Sequence, residues 1–277
     1  MNQTILITGC STGIGRMTAK YFQQKGWNVS ATVRKDPEAD TELNALDRVL
    51  VTALDVTKND TIEAAVQATI DRFGQIDVLL NNAGYGSYGI LEATTEQAIR
   101  MQFDVNVIGA LMVTKAVIPH MRKRHSGTII NISSMGGKIT FPLGTLYHGS
   151  KFAVEGMSEA LSFELSAIGI KVKMIEPGMI KTNFESTTMQ NMAIDPSQTE
   201  YAPFLQQVMD GMKQTAGSAS EPILVAETIY RAATDGTDQL RYIAGPDAEQ
   251  IIAARKQLDD PAYMNLIRSN MGLLRPQ

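Results

Sequence analysis

Short β-rich runs alternate with longer runs of helical period along almost the whole chain, and that alternation constrains the fold more than any other feature. Thr4–Thr8, Asn28–Val33, Val49–Leu54, Val78–Asn82, Thr128–Ile132 and Lys171–Glu176 have the length and β-branched content of buried strands. Lys58 to Phe73 carries apolar residues at 62, 65, 66, 70 and 73, a helical stripe, and Thr95 to about Arg124 and Tyr147 to about Ala167 read as two long helices. Strands separated by helix-length connections pair in parallel, because a parallel neighbour needs a long crossover. The expected architecture is α/β, a doubly wound parallel sheet of about seven strands with helices on both faces, in three layers.

The pattern breaks after Pro177. Residues 182 to about 220 show no strand-like run and mix polar residues with Met189, Met192, Met209, Met212, Phe184 and Phe204. A structureless stretch of that length inside a compact domain reads as a lid. Ile223–Thr234 resumes as a helix, Arg241–Ala244 reads as a last strand, and the tail from Asp247 to Gln277 is helical with a break at Pro261. With 277 residues and no linker or repeat, one domain is expected.

Composition narrows the function classes. Hydrophobic residues make up 44% and charged residues 19%, enough for a large core and too apolar for a disordered chain. A net charge of −4 leaves no basic excess for a nucleic-acid backbone. The Arg122, Lys123, Arg124 cluster falls where a helix C-terminus favours cations. Cys10 stands alone, so no intramolecular disulfide or thiolate metal site is expected, and a reducing cytoplasm fits. His120, His125 and His148 are not spaced as metal ligands, so no metal is expected. The N-terminus lacks a charged and apolar leader pattern, and no apolar run reaches 18 residues, which disfavours export and membrane spanning.

Thr8-Gly9-Cys10-Ser11-Thr12-Gly13-Ile14-Gly15 joins the first strand to its helix. Glycines let a pyrophosphate approach the backbone, and the helix N-terminus supplies N–H donors and positive potential, as in Rossmann-type sheets. The spacing is G-x-x-x-G-x-G rather than G-x-G-x-x-G. Tyr147 and Lys151 share a helix face at i,i+4, where a cation beside a phenol would lower its pKa by about 1–3 units and make a proton-transfer pair. Tyr21 and Lys25 repeat the spacing, but two to three turns into the first helix and away from the carboxyl edge of the sheet. Ser134 lies thirteen residues before Tyr147 at a strand end, where a hydroxyl suits a developing alkoxide.

Taken together, these blocks resemble the short-chain dehydrogenase/reductase family, whose phosphate loop reads TGxxxGxG, with likeness to its carbonyl reductases and its hydroxysteroid and retinol dehydrogenases. The similarity runs over residues 4 to 185 and continues through Asp55-Val56, Asn81-Asn82-Ala83-Gly84, Asn106, Ser134, Tyr147, Lys151 and Pro177-Gly178. The resemblance implies that Ser134 polarises a substrate carbonyl, Tyr147 handles the proton, Lys151 lowers the phenol pKa and binds the nicotinamide ribose, and Asn106 holds a water. It places the cofactor on Gly9, Ser11, Thr12, Gly13, Ile14, Gly15, Arg34, Asp55, Val56, Asn82, Ala83, Gly84, Tyr147, Lys151, Pro177, Gly178, Ile180 and Thr182.

Val33 ends the second strand where NAD-using sheets carry a carboxylate, and Arg34 follows, so NADP (NADPH) is favoured over NAD, with Asp36 near enough to bend back. Tyr85, Met135, Leu143, Met179 and Phe184, with Tyr88 and Pro142, would line a mainly apolar substrate cleft. The expected substrate is a small hydrophobic ketone or its secondary alcohol. An NAD-dependent alcohol dehydrogenase and a non-catalytic NAD(P)-binding regulator share these residues as other readings. His148 is expected to point about 100° away from Tyr147, in a packing or surface role. The family also implies a homo-dimer or homo-tetramer packed through the long helices, for which Ala153, Val154, Met157, Leu161 and Leu165 offer an apolar face that a core within the chain would equally explain.

Overall fold

The structure is a computed structural model and describes residues 2–190, 192–215 and 219–273. Asn191 and Ala216–Ser218 of the expected lid, and Leu274–Gln277 of the tail, lie outside the described residues. The strands are β1 (Thr4–Ile7), β2 (Asn28–Val33), β3 (Val49–Ala53), β4 (Val78–Asn81), β5 (Gly127–Ile132), β6 (Ile170–Pro177) and β7 (Arg241–Ala244). All seven pair in parallel in the order β3-β2-β1-β4-β5-β6-β7, a doubly wound Rossmann-type sheet as expected. The order reverses between β1 and β4, with Ile5 opposite both Val29 and Val78, and a ligand crevice opens at the carboxyl ends there.

The period of two along each strand divides the core. Ile5 and Ile7 face α1 (Gly13–Gln24) and α9 (Pro222–Thr234), joining Phe22, Val29 and Ile229. Leu6 faces the other way with Leu79 and Ile129, meeting α3 (Asn59–Phe73), α5 (Ala110–Arg124) and α6 (Thr145–Ser166) through Ile62, Val113, Val117 and Leu165. Each such fully buried aliphatic side chain contributes about 1.5–3 kcal/mol. A short α2 (Thr41–Asn44), capped by Asp40, is too brief to show a period in the sequence.

Two expectations need correction. The helix expected over Thr95–Arg124 is three pieces: α4 (Glu96–Phe103), a π-helical turn over Asp104–Gly109, and α5. By length and composition this 29-residue stretch could cross a membrane, yet here Val113, Val117 and Met121 are buried in the sheet core. The basic residues do end α5, and Arg124 donates to Ile76 O and pairs with Asp77 at 3.2 Å. The stretch after Thr182 is not structureless, since it contains α7 (Asn183–Gln190) and α8 (Ala202–Thr215). Its methionines obscure an amphipathic pattern that buries Val208 against Ile90 and Leu143, with Met192 and Phe204 packed around them. Ser220 N donates to Met179 O and Lys181 N to Ser220 O, so the ends of the stretch meet.

In the tail, α10 (Pro246–Gln257) and α11 (Asp260–Asn270) are separate helices. Pro261 sits in the first turn of α11, capped by Asp259, so it opens that helix instead of breaking one. On α6, Val154 and Leu165 are buried within the chain, which settles their role as core. Phe152 and Phe163 on α6 are exposed, as are Ile108 in the π-helical turn and Leu111 on α5.

Candidate active site

The glycine turn is held from across the sheet. The Asn82 amide, just beyond β4, donates to Thr8 O at 2.8 Å and Gly9 O at 3.0 Å, while Thr8 Oγ1 accepts from the Asn82 and Ala83 N–H groups. Gly9 and Gly13 have φ of +75° and +61°, which side chains resist. A Cβ on Gly15 would stand 2.3 Å from Gly9 O and 2.5 Å from Asn82 Nδ2. The backbone cradle that results, opening onto the first turn of α1 beside exposed Ser11 and Thr12 and half-buried Ile14, fits a pyrophosphate. Asn82 braces this cradle with its amide. Cys10 is fully buried beneath, and burial pushes its thiol up to about 12, which excludes a nucleophile.

At the adenosine end, Arg34 is exposed beyond β2. One Asp55 carboxylate oxygen accepts from both the N–H and the hydroxyl of Thr57, and Val56 is buried. The nearby loop is fastened by Arg16, which grips Asp40 at 2.6 Å and Glu42 at 2.6 Å.

Ser134 ends the β5 segment in extended backbone and caps the turn Met135–Gly137, its Oγ accepting from Gly136 N at 3.0 Å. Tyr147, in the first turns of α6, is buried, with Ser134 near enough to act on its phenol. Lys151 Nζ lies 5.9 Å from the centre of the Tyr147 ring and donates to Ile132 O at 2.8 Å. Burial lowers the Lys151 ammonium to about 8, opposed by the Glu155 carboxylate one turn further on. Burial also raises the Tyr147 phenol above 10, with the Ser134 hydroxyl pulling the other way. The expected lowering of that phenol by Lys151 is therefore not seen. The ammonium is committed to Ile132 O, and desolvation of the phenol outweighs its field.

Asn106, in the π-helical turn, is also buried. Its Oδ1 accepts from Tyr85 N at 3.0 Å and its Nδ2 donates to Tyr85 O at 2.9 Å and Ser150 Oγ at 3.1 Å. The side chain thus ties the segment after β4, including Ala83 and exposed Gly84, to α6. A Cβ on Gly84 would stand 3.1 Å from Asn106 Oδ1.

Tyr88 and Phe184 pack on Tyr147 with ring centres 5.5 and 5.6 Å away, forming an aromatic wall over the phenol. Leu143 contributes a buried face under α8, and Tyr85 is half-buried nearby. Met135 instead packs with Phe141, Ile251 and Leu273 against the tail helices. After β6, Pro177-Gly178 leads to Met179, whose N–H donates to Asp247 at 2.6 Å. Ile180 packs into the sheet core, and Thr182 lies over the phosphate loop, 3.4 Å from where a Gly13 Cβ would be. Asp247 was not visible as a site residue from the sequence. A Cβ on Gly178 would fall 2.2 Å from its carboxylate, so the glycine of Pro177-Gly178 is matched to an acid seventy residues away. A separate cavity of about 240 Å³ lies outside α1, among Arg16, Lys20, Lys181 and Pro222, and shares only Gly13 and Thr182 with the expected cofactor residues. Among the described residues, no group of acids, histidines and cysteines is placed to hold a metal.

The sequence model of the short chain dehydrogenase family matches residues 3–193, more than half of the chain. The protein belongs to that family. An oxidoreductase of Schizosaccharomyces pombe is 45% identical over 241 residues, covering 86% of this chain and 100% of the relative. The 3-ketodihydrosphingosine reductase of Bacteroides thetaiotaomicron is 36% identical over 255 residues, covering 92% of each. A short-chain dehydrogenase from Streptomyces avermitilis superposes with a TM-score of 0.77 at 31% identity, over 98% of this chain and 95% of that one. Membership makes this chain an NAD(P)-dependent dehydrogenase/reductase with a nicotinamide cofactor on its Rossmann sheet.

Proposed function

We propose that the protein is an NADP-dependent oxidoreductase acting on a hydrophobic ketone or the matching secondary alcohol, with Tyr147 as general acid and base. The observation that carries this reading is the juxtaposition of Ser134 and the buried Tyr147 at the carboxyl edge of the sheet, with Lys151 one turn along α6. When bound, the nicotinamide supplies or takes up the hydride. Ser134 donates to the substrate oxygen and holds it against the phenol, and Tyr147 gives that oxygen its proton in reduction or removes it in oxidation. Lys151 lies beside the Tyr147 ring, anchored to Ile132 O, and its ammonium would hold the nicotinamide ribose. Asn106 fixes the wall that carries Tyr85.

The apolar wall of Tyr88, Leu143 and Phe184 supports a hydrophobic substrate, as does similarity to a relative named for reducing a keto group on a sphingoid base. Exposed Arg34 in place of a strand-end carboxylate supports NADP, since a charge-assisted bond of about 1.5–3 kcal/mol gives a 10- to 150-fold preference. The exposed apolar residues Ile108, Leu111, Phe152 and Phe163 on the long helices support a homo-oligomer that packs through these helices.

A panel of ketones and alcohols assayed with both cofactors tests the reading. Turnover confined to polar polyols, or a higher kcat/KM with NADH than with NADPH, overturns the corresponding part, and Arg34→Asp should reverse the cofactor preference. Tyr147→Phe should abolish turnover while the cofactor still binds.

A further inference from the structure

His148 follows Tyr147 on α6 and is buried instead of lying at the surface. Both ring nitrogens engage the main chain of the segment between Ser134 and α6. Nδ1 lies 2.9 Å from the Gly136 carbonyl, and Nε2 lies 2.9 Å from the Phe141 N–H. A carbonyl only accepts and an N–H only donates, so these partners require the proton on Nδ1 and a neutral ring. The imidazole therefore bridges the turn that begins at Ser134 to the loop that ends at Leu143.

The rest of the loop is fixed from outside. The Tyr263 hydroxyl of α11 accepts from Thr140 N at 3.2 Å and donates to Thr140 O at 3.1 Å, and Leu143 O accepts from Gly89 N at 2.9 Å. Leu143 itself is held at φ +66°, a left-handed conformation that persists only where its surroundings impose it. The ring fills its site closely, since a Cβ on Gly144 would lie 2.5 Å from His148 Cδ2.

We infer that His148 is a positioning residue: its neutral ring holds the loop from Gly136 to Leu143, and with it Ser134 and one wall of the substrate cleft, and protonation of the ring releases that loop. This inference rests on the reading of Ser134 and Tyr147 as the reacting pair. Protonation places an N–H on Nε2 against the Phe141 N–H, so two donors oppose each other and the bond is lost. Among the described residues, the titratable groups set against the ring are the phenols of Tyr147 on its own helix, at 5.7 Å between ring centres, and Tyr88 beyond β4, at 6.3 Å. The Tyr263 hydroxyl is bonded to Thr140 and not to the ring. The phenols stay neutral at acid pH, so burial lowers the imidazole below 6.5 with only the Gly136 hydrogen bond in opposition.

The test is amide hydrogen exchange of the peptides spanning residues 135–146 in the full-length enzyme between about pH 5 and pH 7.5, corrected for intrinsic rates. The wild type should lose protection at Phe141 as pH falls below His148's pKa. His148→Gln offers one amide donor and one acceptor and does not titrate, so it should keep protection throughout. His148→Leu should lack protection at every pH. With the ketone that turns over best in the panel, KM should rise about ten-fold in His148→Leu, with cofactor affinity unchanged, and His148→Gln should restore KM and remove the acid limb of kcat/KM. Protection that is independent of pH in the wild type, or lost equally in His148→Gln, overturns the inference. Circular dichroism separates failure of His148→Leu to fold from release of the loop, and His148→Gln carries the test if it misfolds. Tyr147→Phe should leave the exchange pattern intact, so failure of the catalytic reading is read from turnover and failure of this one from exchange.

Discussion

Lys151 should couple the stability of the fold to pH between about 8 and 10.5. Its side chain is buried, and burial lowers the folded-state pKa from 10.5 to about 8. Below that range the ammonium is charged in the folded and unfolded chains alike. Within it, the unfolded chain binds a proton that the folded chain does not, so stability rises with pH, by up to about 1.4 kcal/mol per unit and about 3 kcal/mol over the whole window. Urea unfolding of the wild type and of Lys151→Met, which keeps an unbranched stem and removes the titration, isolates this contribution. The wild-type free energy minus that of the variant should climb by about 2 kcal/mol between pH 7.5 and 9.5. Subtraction cancels the buried tyrosines 85, 88, 147 and 263, whose raised pKa values lower stability only above pH 10. A difference that stays flat would refute the reasoning, because Lys151 would then keep its ordinary pKa, with Glu155 compensating in full for its burial.

Gly15→Ala should weaken cofactor binding more than ten-fold and lower the unfolding temperature, because its Cβ would meet Gly9 O and Asn82 Nδ2 within 2.5 Å; calorimetry of nucleotide binding and thermal melts check both. Glu176, buried beside the Glu155 carboxylate, has its carboxyl raised to about 7, so the folded state alone holds that proton between pH 4.5 and 7 and stability falls as pH rises through this range. Glu176→Gln should remove that decline in a urea series. Ile108→Asp together with Phe163→Glu should shift the mass seen by light scattering from oligomer to monomer, since both apolar side chains are exposed, Phe163 at 74%.

Much of this was legible in the sequence, and for identifiable reasons. The strands announce themselves because a sheet covered on both faces demands near-continuous apolar runs, as in Thr4–Ile7 and Val78–Asn81. Ser134, Tyr147 and Lys151 were legible because helical spacing and a strand end place them together. Spacing alone was insufficient: Lys25 Nζ lies 5.1 Å from the Tyr21 ring centre, much like Lys151 and Tyr147, yet Tyr21 packs on Tyr230 beside the sheet core. The sign of the Tyr147 shift was missed because it depends on desolvation, which only the packed structure supplies. His148, Asp247 and the brace formed by Asn82 escaped because their partners are main-chain atoms of other segments, which leave no pattern of residue types. The π-helical turn around Asn106 was hidden within a run that reads as one continuous helix.

The clasp of Asn82 on Thr8 O and Gly9 O has a consequence for assembly. The phosphate loop is complete by residue 15, yet the Asn82 amide that holds its shape comes more than sixty residues later, just beyond β4. A chain emerging from the ribosome therefore has the loop's sequence well before it has the loop's shape, and nucleotide capture must wait until β4 has docked beside β1. Nucleotide binding by growing or truncated chains would thus mark the moment at which the centre of the sheet closes.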